Sequence, residues 1–313
     1  MKPLLAIITL LTGVNIIAAE KKIIRNTDRF ELVYTMRLPE LNGSGKLWIP
    51  LARTDPYQRF EILSISSPTP WHKTRDKVHQ NELLVLHPNK ATSGQQITIR
   101  YQVTRREKSA HIETGNPKKH LKAEKLVPIN ARFIQIAKKV TAKGNSDLDK
   151  GKAVYEHVRE HMRYDKSGKG WGRGDALYAC DSRTGNCTDF HAYFIGLCRA
   201  VNIPARFAIG FSIPANVDSG TIDGYHCWAE FYAEGKWVPV DISEADKHPE
   251  LASYYFGHHP ANRLELSRGR DILPKPEPKA GPFNYFFGPH LEIDGKEVPL
   301  KATYEFKRLP LKK

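Results

Sequence analysis

The run CTDFHAYFIGLCRAVNIPAR, residues 187–206, leaves the chain little freedom of fold. Phe190, Phe194, Leu197, Cys198 and Val201 recur at helical spacing, and Pro204 stops the helix. Strand patterns follow directly, in RFAIGFSIP and in GYHCWAEFYAEGKWVPVDIS. The AEGK tetrad turns the last two strands into a hairpin. A helix with one broad apolar face, followed at once by antiparallel strands, calls for an α+β domain with helices packed on an antiparallel sheet.

The rest of the chain fits around that unit. At 313 residues there is room for two domains. Residues 28–105 look all-β. In ITIRYQV, Ile97, Ile99, Tyr101 and Val103 share one face. RFELVYTMR, GKLWIP, RFEILSIS and NELLVLH are further strand candidates, separated by turn chemistry such as LNGSG and SSPTP. Such spacing suggests a small β-sandwich. Two helices are expected next, NARFIQIAKKVTA and SDLDKGKAVYEHVREHMRY, the second capped by Ser146. Its Leu148, Ala153, Val154, His157, Val158 and Met162 suit one buried stripe. Beyond Leu251 the chain is rich in Pro, Gly and aromatics and reads as an ordered tail ending in a strand pair around EIDGKEV.

The N-terminus, MKPLLAIITLLTGVNIIAAEKK, has the pattern of a secretory signal with cleavage after Ala19. The apolar run is shorter than the roughly 20 residues of a membrane span, so no span is expected after cleavage, and the protein is expected in the periplasm or outside the cell. The expected division is therefore a signal peptide at 1–19, a β-sandwich at 20–110, a linker at 111–129, the α+β domain at 130–250 and a wrapping tail at 251–313.

Charge narrows little. The formal net charge is +14, from 48 Lys and Arg against 34 Asp and Glu. The basic residues are scattered, so no nucleic-acid partner is expected; an anionic surface or wall polymer is compatible. The four cysteines, Cys180, Cys187, Cys198 and Cys227, cluster in one region and form no disulfide scaffold. Neither the cysteine spacings nor the pair His157 and His161 makes a zinc motif, so neither a metal nor any other cofactor is expected.

One cysteine has a distinctive address. Cys187 opens the helix behind Gly185-Asn186, where unpaired N–H groups and the helix dipole stabilise a thiolate. A cysteine nucleophile needs a base, and the base an orienter. The hairpin offers both. A two-residue turn at Glu234-Gly235 pairs Ala233 with Lys236, sets Trp228 opposite Asp241 and His226 opposite Ser243, and makes His226 and Asp241 diagonal neighbours. Cys227 then falls on the other face from His226, to pack near Cys198. A helix-start Cys, a strand His or a strand-end Asp is unremarkable alone; the ordered conjunction is not.

TGNCTDFHAYFIGLCRAVNIPARFAIGF, GYHCWAEFY and KWVPVDIS together resemble the bacterial transglutaminase-like superfamily, whose core is papain-like. The resemblance covers about residues 130–245. It implies that Cys187 attacks a carboxamide or peptide carbonyl, His226 shuttles the proton and Asp241 orients the imidazolium. It also implies an oxyanion site built from the Cys187 N–H and a second donor, for which Trp171 in the loop GKGWGRGD is the candidate. Asp189 and Trp228 are expected to be scaffold, and Glu230 either a surface charge or the partner of a nearby base. The expected substrate is a protein or peptide, with hydrolysis or acyl transfer to an amine as the outcome. A catalytically silent binding module for an anionic surface polymer or protein is the alternative.

Overall fold

The computed structural model describes residues 23–311; the expected signal segment, 1–19, lies outside them. The N-terminal region forms six strands, β1 (Thr27–Arg37), β2 (Gly45–Pro50), β3 (Gln58–Ser66), β4 (Trp71–Arg75), β5 (Glu82–Leu86) and β6 (Gln96–Arg106). Period-two alternation does the sorting. On β1 it buries Phe30, Leu32, Tyr34 and Met36, which pair with Val103, Tyr101, Ile99 and Ile97 of β6. Their side chains share one apolar cluster with Leu47, Ile49, Leu84 and Leu86 of β2 and β5. β4 was not foreseen. It is mostly exposed and carries no apolar alternation, so only its pairing with β5 reveals it.

Helices α1 (Ala131–Val140), α2 (Asp147–His161), α3 (Ala176–Ser182) and α4 (Cys187–Ala200) follow, with a short parallel pair, β7 (Arg163–Tyr164) and β8 (Thr184–Gly185), between them. Asn130 and Ser146 cap α1 and α2, and Ser146 forms a capping box with Asp149. The α2 stripe is narrower than its spacing suggested: Val154, Tyr155 and Val158 are buried while Leu148 is 37% exposed. α4 departs from expectation more sharply. It is buried on every side from Cys187 to Arg199, because the sheet covers one face and α1, α2 and α3 cover the rest.

The remaining elements are β9 (Ala205–Ser212), β10 (Ser219–Thr221), β11 (His226–Ala233), β12 (Lys236–Val240), α5 (Ile242–Lys247), α6 (Ala252–Tyr255), β13 (Arg263–Arg268), β14 (His290–Ile293), β15 (Lys296–Val298) and β16 (Ala302–Arg308). The sheet behind α4 is antiparallel with order β12-β11-β9-β13. Its hairpin has the foreseen register, Ala233 against Lys236, with positive φ at Glu234 and Gly235 as a two-residue turn requires. The ladder stops at Ala229–Val240, however, and Ser243 lies in α5 rather than opposite His226.

Strands from the end of the chain enter both N-terminal sheets. β16 lies between β1 and β10 in the order β10-β16-β1-β6-β3, and β14 and β15 extend the other as β15-β14-β2-β5-β4. The architecture is thus α+β, with antiparallel sheets over residues 27–106 ahead of the helical core. Among the described residues no helix is long and apolar enough to cross a membrane.

Gly210 sits where β9 meets both β11 and β13. A Cβ there would lie 1.7 Å from the Leu264 carbonyl oxygen, so no side chain fits without separating the strands. Gly210→Ala is expected to lower unfolding stability by about 2 kcal/mol or more, measured by urea denaturation. Unchanged stability would contradict the β9–β13 packing.

Candidate active site

Cys187 is the first residue of α4. Asn186 caps the helix, accepting from the Thr188 N–H at 2.9 Å, and Asp189 completes a capping box through the Asn186 N–H at 3.0 Å. Gly185, at φ 155°, has no room for a side chain, because a Cβ would lie 2.6 Å from Asp189. Asp189 is scaffold, as expected. Its two oxygens also accept from the N–H groups of Gly172 at 2.7 Å and Gly174 at 3.0 Å. It thereby binds the glycine-rich loop to the start of α4.

His226, the first residue of β11, is near enough to the Cys187 thiol for its charge and hydrogen bonding to act on it. Its Nε2 lies 2.7 Å from Asp241 Oδ2, which leaves Nδ1 for the thiol. Asp241 is fully buried and caps α5, accepting from the Glu244 N–H and the Ser243 hydroxyl at 3.1 Å each. Arg263, from β13, donates Nη2 to Oδ2 at 2.7 Å. Cys187, His226 and Asp241 are therefore brought together, with Arg263 behind them.

The electrostatics follow from burial and sign. Burial opposes a charge on Cys187, yet hydrogen bonds from Cys227 and His226, with the histidine's positive charge, hold the thiol well below its ordinary range. Burial likewise disfavours imidazolium, but the Asp241 carboxylate outweighs it and raises His226 to about 9. Asp241 is held well below the usual carboxylate range against its own burial, chiefly by His226 and Arg263. The favoured state is a thiolate beside an imidazolium.

Three participants were not foreseen. Arg263 belongs to a strand read as tail. His191, one helical turn beyond Cys187, was passed over as part of an apolar helix. It is fully buried, with Nδ1 2.7 Å from the Cys187 carbonyl and Nε2 3.1 Å from the Ile242 N–H. A carbonyl accepts and an N–H donates, so Nδ1 carries the proton and the ring is neutral. Burial pushes its pKa down accordingly. The i, i+4 spacing from Cys187 was the available signal. The third is Cys227. It lies by the start of α4 rather than beside Cys198, which is near the helix's other end: its Sγ is 3.6 Å from His191 Nδ1. Parity put it on the helix-facing side of β11 correctly, but that side is where α4 begins.

Trp171 lies half-buried in the glycine-rich loop, with the Lys166 ammonium 5.7 Å from its ring centre. The end of the chain clamps this loop. Tyr285 donates its hydroxyl to the Gly172 carbonyl at 2.6 Å, and Asn284 donates to the Arg173 carbonyl at 2.8 Å. Tyr225 accepts from the Asn186 amide at 2.8 Å. Beneath this cover Cys187 is 1% exposed.

Glu230 is not a surface charge; of the two expected roles, the structure shows it as the partner of nearby basic side chains. It is buried against Arg206 and Lys108. His157 and His161 stack on each other and bond to the Tyr193 hydroxyl and the Cys180 carbonyl.

Residues 134–242, which hold the whole Cys187, His226 and Asp241 constellation, match the transglutaminase-like superfamily. The chain carries a transglutaminase-like superfamily domain. An uncharacterized protein of Haemophilus influenzae is 25% identical over 335 residues, spanning 90% of this chain and 91% of that one. A crystal structure named as a "putative cysteine protease" from Cytophaga hutchinsonii superposes with a TM-score of 0.60. It covers 92% of each chain at 16% identity, a likeness of fold that extends beyond the transglutaminase-like domain to the N-terminal sheets and C-terminal strands.

The charge state of the domain's thiol is directly measurable. An ordinary cysteine, with a pKa of 9.0, alkylates about tenfold faster for each pH unit gained below that value. Cys187 should alkylate at a nearly constant rate from about pH 6 to about pH 8, since its thiolate is already formed. His226→Ala should restore the steep dependence. Both are read by iodoacetamide labelling and mass spectrometry of the Cys187 peptide.

Proposed function

We propose that the protein is an exported cysteine enzyme acting on amide bonds of a protein or peptide through a Cys187 thioester. The observation that carries this reading is the buried Cys187 at a helix start together with His226, whose Nε2 is 2.7 Å from the buried Asp241 carboxylate and whose charge acts on the thiol. That arrangement supports a papain-like catalytic core, preceded by a β-sandwich that the C-terminal strands complete.

The chemistry follows from the geometry. The thiolate attacks the carbonyl carbon. The developing oxyanion meets the Cys187 N–H, which as the first in α4 has no partner within the helix, and Trp171 is proposed as the second donor. His226 gives the proton on Nδ1 to the departing amine or ammonia, leaving a thioester on Cys187. Water or a second amine then attacks the thioester while neutral His226 takes its proton. Asp241 keeps the ring oriented and stabilises the imidazolium throughout. The closed cover over Cys187 favours neither acceptor by itself, because exclusion of water depends on how the loop sits once substrate is bound.

Export rests on the sequence at residues 1–19, and the net charge of +14 suits acidic peptides or surface polymers, attracted in a salt-dependent way. A catalytically silent module would gain nothing from holding a buried thiolate against its desolvation cost.

The test is one incubation of the protein, lacking residues 1–19, with a glutamine-containing peptide library and a tagged primary amine. Tagged peptides mean acyl transfer; shortened or deamidated peptides mean hydrolysis. Cys187→Ala should abolish either, a loss of about 10³-fold or more. Turnover that survives in Cys187→Ala would overturn the assignment, and the absence of any product together with a slow Cys187 thiol would favour the binding module.

A further inference from the structure

The mechanism above uses Cys187 and leaves Cys227 idle, yet both residues lie against His191 in the same buried corner of the site. Cys227 opens the same strand as His226 and is fully buried. Its Sγ is 3.6 Å from the Nδ1 of His191, the same nitrogen that lies 2.7 Å from the Cys187 carbonyl. The other cysteines are elsewhere: Cys180 hydrogen-bonds Tyr193 in the cleft shared by His157 and His161, and Cys198 is near the far end of α4. All four are free thiols.

Packing alone does not require a thiol at position 227. A methyl or a hydroxyl would fill similar space, and a second thiol beside a thiolate nucleophile creates a chemical hazard unless it is used. We propose that Cys227 is a resolving cysteine, which converts peroxide oxidation of Cys187 into a reversible Cys187–Cys227 disulfide and so switches the site off without destroying it. The proposal rests on Cys187 being the activated thiol of the reading above.

The steps balance with a peroxide as oxidant. The Cys187 thiolate attacks one peroxide oxygen and the O–O bond breaks. The departing oxygen takes the His226 proton and leaves as water or an alcohol, and Cys187 becomes a sulfenic acid. The Cys227 sulfur then attacks the Cys187 sulfur. The S–O bond breaks, hydroxide leaves, and the proton released from Cys227 passes through neutral His226 to make a second water. Two thiols have lost two electrons and the peroxide has gained them. A dithiol reductant reverses the bond by thiol–disulfide exchange.

The local charges order the two steps. Burial, followed by the hydrogen bond and negative charge of Cys187, keeps the Cys227 thiol well above its ordinary range. Cys227 therefore stays protonated and inert while Cys187 is a thiolate. Once Cys187 is a neutral sulfenic acid, the part of that suppression due to its charge is gone. The cover matters too. With Cys187 1% exposed, a thiol already beside the sulfur meets a sulfenic acid sooner than any thiol arriving from solution, so an internal partner is the nearest rescuer.

Reduced protein is treated with hydrogen peroxide in the presence and absence of dimedone, which traps sulfenic acids, and mapped without reduction. The expected product is one linked peptide pair, Cys187 with Cys227, lost on adding dithiothreitol, with little dimedone on Cys187. In Cys227→Ala and Cys227→Ser, dimedone labelling and irreversible sulfinic acid at Cys187 should rise several-fold at the same peroxide dose. Sulfenic or sulfinic Cys187 in the wild type with no linked pair, or a link to Cys180 or Cys198 instead, would overturn the proposal. If Cys187 alkylates rapidly but does not link, only the resolving role fails. If it resists both peroxide and alkylation, the activated-thiol reading fails with it.

Discussion

A single buried carboxylate governs the arrangement of this site. Asp241 is removed from water, so it is tolerated only if its charge is balanced and its lone pairs are filled. His226 and Arg263 supply the balance, and the Ser243 hydroxyl and the Glu244 N–H fill the remainder. These groups come from β11, β13 and the first turn of α5. One side chain therefore fixes where the hairpin ends, where a helix begins and which strand borders the sheet. The charges alternate along the row: thiolate, imidazolium, carboxylate, guanidinium. Their sum is zero, which is the condition under which four ionised groups can share a dry interior. A fifth charge would break it, and His191 avoids doing so by being held neutral between a carbonyl and an N–H.

The same strand ties the site to the N-terminal sheets. His226, Trp228 and Glu230 alternate along β11 and share a face. Trp228 packs with the guanidinium groups of Arg263 and Arg105, 5.4 Å and 5.8 Å from its ring centre. Glu230 enters a second buried ionic cluster. There Lys108 meets Asp55, Glu230 and Glu265, while Arg206 and Arg268 share Glu113. Such a cluster contributes little net stability, because desolvation offsets attraction, but removal of one member leaves a naked charge. Its main consequence is geometric. It locks the face that carries His226 against segments on both sides, so this imidazole moves only if the whole interface does. This is the support that a positioned imidazole needs.

What the sequence disclosed and what it hid follow the same division. The hairpin register was legible because the turn has a local cause, two residues of positive φ, and parity does the rest. The start of α4 was legible for a similar reason, since Gly185, Asn186 and Asp189 act within four residues of one another. β1 and β6 showed themselves because one face is apolar and the other is not. β13 was hidden by the opposite circumstance. RLELSR carries three charges and reads as surface, yet all six residues are buried, since the neutralising partners lie far away in sequence. The pair around EIDGKEV was legible, and it is β14 and β15; what was hidden is that β14 continues onto β2 and β16 onto β1, because those partners belong to the first strands of the chain. Cys227 shows the limit of parity, which gives a face but not what the face meets.

The ion pair at the centre also explains why such a site is compatible with a stable fold over the neutral range. Unfolded, Cys187 would titrate at its ordinary 9.0 and His226 at 6.5. Between those values the unfolded pair holds one proton, on sulfur. The folded pair also holds one, on the imidazole, because Cys187 is depressed and His226 is raised to about 9. Stability changes with pH only where the two states bind different numbers of protons. From 6.5 to about 9 the counts match, so moving the proton from sulfur to nitrogen carries no pH-dependent penalty. Below 6.5 the unfolded pair takes up a second proton, on its histidine, while the folded thiolate resists one; unfolding gains protons and stability falls with acid. Asp241 acts in the same direction: its depressed folded pKa gives stability that is present above the ordinary carboxylate value and lost as pH falls through the folded one. The raised His226 works the other way at the alkaline end, where its contribution, complete below 6.5, is lost as pH rises through about 9, while the Cys187 contribution becomes complete above 9.0. The ion pair therefore adds no pH slope to stability near neutrality. Asp241 favours the protonated imidazole beside it, so the fold and the charge state of Cys187 depend on the same carboxylate.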